Sequence, residues 1–231
     1  MNKIELKEEI TELDKEKIAT FIAFQRLRVP DFSKRIQEMT NKMTKAVNKR
    51  LYSNEKLTTK YIEKYNKEKR TAIDPKAFFE LVKNEDYFIQ MNREGEIQLM
   101  MASVKDHFNY FMQMEWRIVF APVNSAFVVS DNPFIIFSPS EHNPYRGVGI
   151  ITPGVVKLIP LSKNFYIALL DKGNKITSHN AIREHCKFIN DHIALNCDRF
   201  VYSHSLPLLK SIIERTKLKE RPERIRVEVN N

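Results

Sequence analysis

The sequence predicts an α+β protein: a helical N-terminal half packed with a mostly antiparallel β-sheet, followed by a C-terminal helix. Three observations carry this. Only Pro30 and Pro75 precede residue 122, whereas Pro122, Pro133, Pro139, Pro144, Pro153 and Pro160 crowd the stretch after it, and X-Pro junctions break helices and favour turns. The apolar period shortens from three or four residues to two near residue 114, where Trp116, Ile118 and Phe120 alternate with Glu115, Arg117 and Val119. The 231 residues are 42% hydrophobic, enough to bury a core. The expected organisation is a helical region over 1–112 and a strand-rich region over 113–231, with a helix near 180–197, together one compact unit.

Taken in order, a first helix is expected from near Glu8 to Arg28, with Leu13, Ile18, Phe21, Ile22 and Leu27 facing inward, ending before Val29-Pro30. A second starts near Pro30 or Asp31; Ile36, Met39, Met43, Ala46 and Val47 form its apolar stripe. Asp74-Pro75 is an N-cap with proline at the first helical position, opening a helix through Phe78, Phe79 and Val82. A further helix spans roughly 97–112. Strands are expected at 115–120, 126–130, 134–137, 155–160 and 165–170. A helix then follows over 180–197, a short strand over 199–202 and a last helix over 207–215.

Composition excludes several functions. Only five glycines occur, about 2% against a usual value near 7%. The Gly147-Val148-Gly149 cluster matches neither the dinucleotide nor the P-loop spacing. A Gly-x-Ser-x-Gly elbow is absent, as is the acid-x-Lys pair of a restriction-type nuclease after Asp131. The N-terminus has no secretory h-region, and no apolar run approaches membrane-spanning length. Cys186 and Cys197 cannot frame a disulfide scaffold, so a cytoplasmic setting is expected. His185 and His192 lie near those cysteines without zinc-site spacing.

The net charge is +9, and its excess is local: residues 34–70 hold twelve basic side chains against four acidic ones. Lys42, Lys45, Lys49, Arg50, Lys60 and Lys64, with Tyr61 and Tyr65 four residues apart on one face, form a candidate nucleic-acid surface in which lysines track phosphates and rings stack on bases. A solvated helix face and a dock for an acidic protein partner stay open as readings of the same residues. The tail from Lys217 to Asn231 is a second, weaker basic patch.

Ser130-Asp131-Asn132-Pro133 has the composition of a turn. If Pro122-Val123-Asn124 is a three-residue hairpin loop, Ala121 pairs with Ser125 and Glu115 falls opposite Asp131. Two facing carboxylates need a shared proton, Arg117 or a divalent cation such as Mg²⁺ to relieve them. With the metal, Asp131 and Glu115 would assist phosphodiester hydrolysis, and without it the segment only turns. Gln25 interrupts the apolar stripe of the first helix, so its amide must find partners, and Arg28 one turn on suits the helix C-terminus. Whether the chain is an enzyme stays open.

Four fragments resemble the DUF4238 family, a domain of unknown function: Phe21 to Pro30, with Gln25 and Arg28; Phe127 to Pro133; Ile159-Pro160-Leu161-Ser162; and Asn190 with Asn196 to Ser203. The resemblance implies that Gln25, Arg28, Asp131 and Asn132 are site residues, and it supplies no activity. Members of that family usually open with a His-Tyr-Val-Pro element, which this chain lacks, so an N-terminal portion is expected to be missing.

Overall fold

The computed structural model describes residues 2–138 and 149–217. The turns expected at Pro139 and Pro144, the Gly147-Val148 pair and the basic tail beyond Lys217 lie outside the described residues. The architecture is α+β, as the change of period predicts. The chain divides into two compact units: unit 1, Met1–Asp31 with Gln98–Asn231, and unit 2, Phe32–Ile97.

Unit 1 is built on a sheet of five strands: β1 (Met114–Phe120), β3 (Ile135–Phe137), β4 (Val156–Pro160), β5 (Phe165–Lys172) and β6 (Ile176–Asn180), in the order β3-β4-β5-β1-β6. All pairings are antiparallel except β1 with β6. A two-stranded ribbon joins β2 (Val129–Ser130) to β7 (Val201–Tyr202). The five-stranded sheet is covered on both faces. Trp116, Ile118 and Phe120 of β1 and Phe165, Ile167 and Leu169 of β5 point to one side, against Ala19, Ile22 and Ala23 of α2 (Glu12–Leu27) and Phe111 of α6 (Arg93–Met112). Val119, Leu158, Tyr166 and Ala168 point to the other side, against Cys186, Ile189 and Ile193 of α7 (Arg183–Asn196) and Ile212 of α8 (Leu206–Thr216). The period of two in β1 therefore separates two cores, which explains why Val119 is buried as well as its neighbours. The short α1 (Asn2–Glu5) adds Ile4 to the first core.

Three expectations for unit 1 are corrected. The first helix starts at Glu12, because Thr11 and Asp14 close a capping box, and Leu13 and Phe21 are exposed while Ala19, Ile22 and Leu27 face inward. The 122–124 hairpin does not form. Ser125 N–H donates to Pro122 O at 3.0 Å, Ala121 N–H donates to Asn164 O at 2.7 Å, and β1 pairs with β5 and β6 while β2 pairs with β7. Finally, β6 was not expected as a strand: its Ser178, His179 and Asn180 are exposed on a sheet edge and show no apolar alternation.

Unit 2 contains α3 (Pro30–Leu51) from residue 32 onward, α4 (Glu55–Lys69) and α5 (Pro75–Asn84). Asn54 caps α4 by accepting from Leu57 N–H, and Asp74 caps α5 by accepting from Lys76 N–H, with Pro75 at the first position. Inside the unit, α3 turns a polar face to the extended segment 85–91. Asn41 Oδ1 accepts from Ile89 N–H at 3.0 Å, and Gln37 Oε1 accepts from Met91 N–H at 2.7 Å. Gln37 Nε2 donates to Ile89 O, and Lys45 Nζ donates to Glu85 O at 2.7 Å. These side chains stand in for a neighbouring strand and satisfy backbone groups that have no ladder. The consequence is a correction in unit 2 as well: the apolar stripe of α3 points outward, with Met39, Met43 and Val47 each at least half exposed.

Candidate functional site

The end of α2, the Ser130-Asp131-Asn132-Pro133 turn, the end of β4 and the approach to β7 surround one cavity of about 430 Å³ in unit 1. Its walls come entirely from residues 21–30, 129–133, 159–161 and 199–202, four stretches far apart in sequence. Arg28 is the C-cap residue of α2, and its Nε donates to Gln25 Oε1 at 2.8 Å. That bond gives the Gln25 amide the partner it needs and leaves the outer guanidinium nitrogens, Nη1 and Nη2, for other acceptors.

Asp131 organises the opposite wall. Its Oδ1 accepts from Asp198 N–H at 3.0 Å, and its Oδ2 accepts from Arg199 N–H at 2.8 Å and Phe200 N–H at 3.2 Å. Asp131 N–H in turn donates to Phe200 O at 3.1 Å. One carboxylate thus gathers three successive amides and folds the 198–200 backbone so that Arg199 and Tyr202 reach the cavity. Three charge-assisted bonds also compensate the carboxylate's charge. Ser130 stands beside it, only 3% exposed, and its Oγ has no hydrogen-bond partner among the described residues. A buried hydroxyl left unpaired costs about 1–3 kcal/mol.

The sequence-derived candidates divide. Gln25, Arg28 and Asp131 are brought together on this cavity. Asn132 is buried behind it, where its Nδ2 donates to Asn196 O at 3.1 Å and its backbone oxygen accepts from Asn196 Nδ2 at 3.0 Å. Glu115 and Arg117 lie elsewhere, on β1, paired with each other at 2.9 Å. The register that would have set Glu115 across from Asp131 is therefore not formed, since the two strands belong to different sheets. Among the described residues no three of His, Cys, Asp and Glu gather as metal ligands. Three wall residues escape sequence reasoning: Ser130 reads as an ordinary turn residue, and Arg199 and Tyr202 join Arg28 only through the backbone that Asp131 holds.

The histidines and cysteines have separate, local roles. His185 Nε2 lies 3.3 Å from the Tyr166 hydroxyl, whose pKa burial pushes up to about 12. His192 Nδ1 bonds Phe188 O at 2.8 Å. Cys186 donates to Ala126 O at 3.4 Å, and burial raises its thiol further from the reactive thiolate form. Neither cysteine is in a disulfide.

Within unit 2 the basic candidates also divide. Lys45 is committed to Glu85 O and lies 5.2 Å from the centre of the Tyr87 ring, and Lys49 pairs with the Glu85 carboxylate at 2.9 Å. Lys42, Arg50 and Lys60 are exposed, and so is Lys64, which lies 3.7 Å from Glu68 on the same helix. Tyr61 and Tyr65 are both exposed, although Tyr61 also leans on Tyr52 with ring centres 5.9 Å apart. No helix among the described residues is long and apolar enough to cross a membrane.

No curated protein and no solved structure matches the chain. The family model described as a protein of unknown function, DUF4238, matches residues 1–206. That span includes all four wall segments of the cavity, and the chain belongs to the DUF4238 family.

Proposed function

We propose that this protein binds a small anionic organic ligand in the cavity of unit 1. The observation that carries the reading is that the four segments on which the family resemblance rests, scattered over the chain, converge on one hollow with Arg28, Arg199 and the unpartnered Ser130 hydroxyl in its walls. Its volume, about 430 Å³, suits a small molecule. The only carboxylate in the wall is Asp131, which accepts three backbone amides, so an incoming anion meets two guanidinium groups, of which Arg199 is also loosely paired with Asp198 at 3.9 Å. Metal-assisted hydrolysis at the Ser-Asp-Asn-Pro turn draws no support from this geometry, because Asp131 is occupied as a clamp and Glu115 is held by Arg117 on another strand. Thermal-shift screening against organic phosphates and carboxylates tests the proposal. A ligand-dependent rise in Tm that is lost in Arg28→Gln supports it, and a rise of equal size in that variant rejects it.

A second reading concerns unit 2, where exposed Lys42, Arg50, Lys60 and Lys64 with Tyr61 and Tyr65 favour nucleic acid. Contacts to about four phosphates would make binding fall steeply with salt. Reversing the charge of Lys42, Arg50, Lys60 and Lys64 together should flatten that dependence. Unchanged affinity in the fourfold variant would remove this reading.

A further inference from the structure

We infer that the ligand of the unit 1 cavity is a nucleoside 5′-monophosphate group, free or as the 5′-phosphorylated end of a strand; the inference rests on the cavity being an anion site. Three features of the wall give the chemistry. The first is the pair of arginines. Arg28 keeps both Nη groups after bonding Gln25 through Nε, and Arg199 is held only loosely, in an ion pair from its Nε to Asp198 Oδ2 at 3.9 Å and 5.5 Å from the centre of the Phe200 ring. Planar guanidinium forks match the several oxygens of a phosphate. The second is Ser130 Oγ, buried in the wall without a partner among the described residues. The Oγ itself is covered, so a small shift of the turn exposes it to the cavity, and a phosphate oxygen that then accepts its hydrogen bond ends that cost.

The third is aromatic. Phe21 is 47% exposed and Tyr202 57% exposed, although both line a cavity. Phe21 sits on α2 outside its buried face, and Tyr202 ends the short ribbon strand β7. Rings left open in a wall beside cations offer faces for a nucleobase, as in single-strand binding sites. Ile159, Pro160 and Leu161 supply apolar surface along the same wall. A bare phosphate would fill little of the volume and use none of these carbon surfaces. A nucleotide uses the cationic and the aromatic parts together.

The test is calorimetric titration of the full chain with adenosine and uridine 5′-monophosphates, adenosine, inorganic phosphate, succinate, and short oligonucleotides carrying a 5′-phosphate or a 5′-hydroxyl. The expected result is saturable nucleotide binding at least tenfold tighter than adenosine or phosphate. Ser130→Ala should weaken it about tenfold with Tm unchanged or raised, because the variant removes a buried unpaired hydroxyl; Arg28→Lys should weaken it comparably. Equal affinity for nucleotide and 5′-phosphorylated strand supports recognition of strand ends, and preference for the mononucleotide supports a free ligand. Succinate binding without nucleotide binding overturns this inference and leaves the anion cavity standing. Phosphate binding as tightly as nucleotide also overturns it. Failure of every anion to bind overturns both.

Discussion

Asn190 shows how a single amide can hold two layers together. It is buried in α7, where its Oδ1 accepts from Val128 N–H at 3.0 Å and its Nδ2 donates to Ala126 O at 2.8 Å. Asn190→Ala strands both backbone groups and should cost about 2–4 kcal/mol in urea denaturation, from two unpaired buried groups. Lys157 is the opposite case, a fully buried ammonium on β4 whose described hydrogen bond is to Val155 O at 2.8 Å. Burial pushes its pKa down, and the Asp171 carboxylate pulls the other way. The folded chain therefore releases this proton at lower pH than the unfolded chain. Stability should rise with pH between the lowered value and the ordinary lysine range. Lys157→Met should raise stability at neutral pH by about 1 kcal/mol, since a buried charge is exchanged for a thioether of similar length, and should remove this alkaline gain in Tm-against-pH profiles. At this scale the site was partly legible. Gln25 betrays itself as a polar residue on an apolar helical stripe, and Asp131 as part of a distinctive turn. Ser130 gives no such signal, because only the fold shows that its hydroxyl is buried.

Helices are the legible elements, for local reasons. Thr11, Asn54 and Asp74 cap, and Pro30 and Pro75 start helices, within a few residues of where those types stand in the chain. Strand pairing is not local. Nothing near β1 announces that it will pair with β5 some fifty residues on, so the hairpin expected at 122–124 gave way to a longer-range ladder. The face that α3 buries differs from the expected one for a related reason. Its apolar stripe invites burial, but the segment at 85–91 needs hydrogen-bond partners, and Gln37, Asn41 and Lys45 turn inward to provide them. Asn41→Ala removes the acceptor of Ile89 N–H and should cost about 1–2 kcal/mol, with proteolytic cleavage near residue 89 becoming faster. An unchanged cleavage rate would show that the clamp does not hold that segment.

At the scale of the molecule the two units differ in what stabilises them. Unit 1 has a core on each face of its sheet, whereas in unit 2 only Ile62 and Val82 are buried apolar residues. Native-state hydrogen exchange should therefore find the amides of α4 and α5 opening at lower free energy than those of β1 and β5. Equal protection would contradict the assignment of stability to burial. The regional division of helix and strand is readable in the sequence, but the separation into units is not, because it depends on which distant residues pack. Unit 1 is discontinuous along the chain, and Ile22 shares its core with Trp116 and Ile167. During synthesis the inner side of α2 leaves the ribosome well before the strands that cover it, by about 5–30 s at ordinary elongation rates. Over that interval the narrow apolar face of α2, made by Ala19, Ile22 and Ala23, has no sheet to cover it.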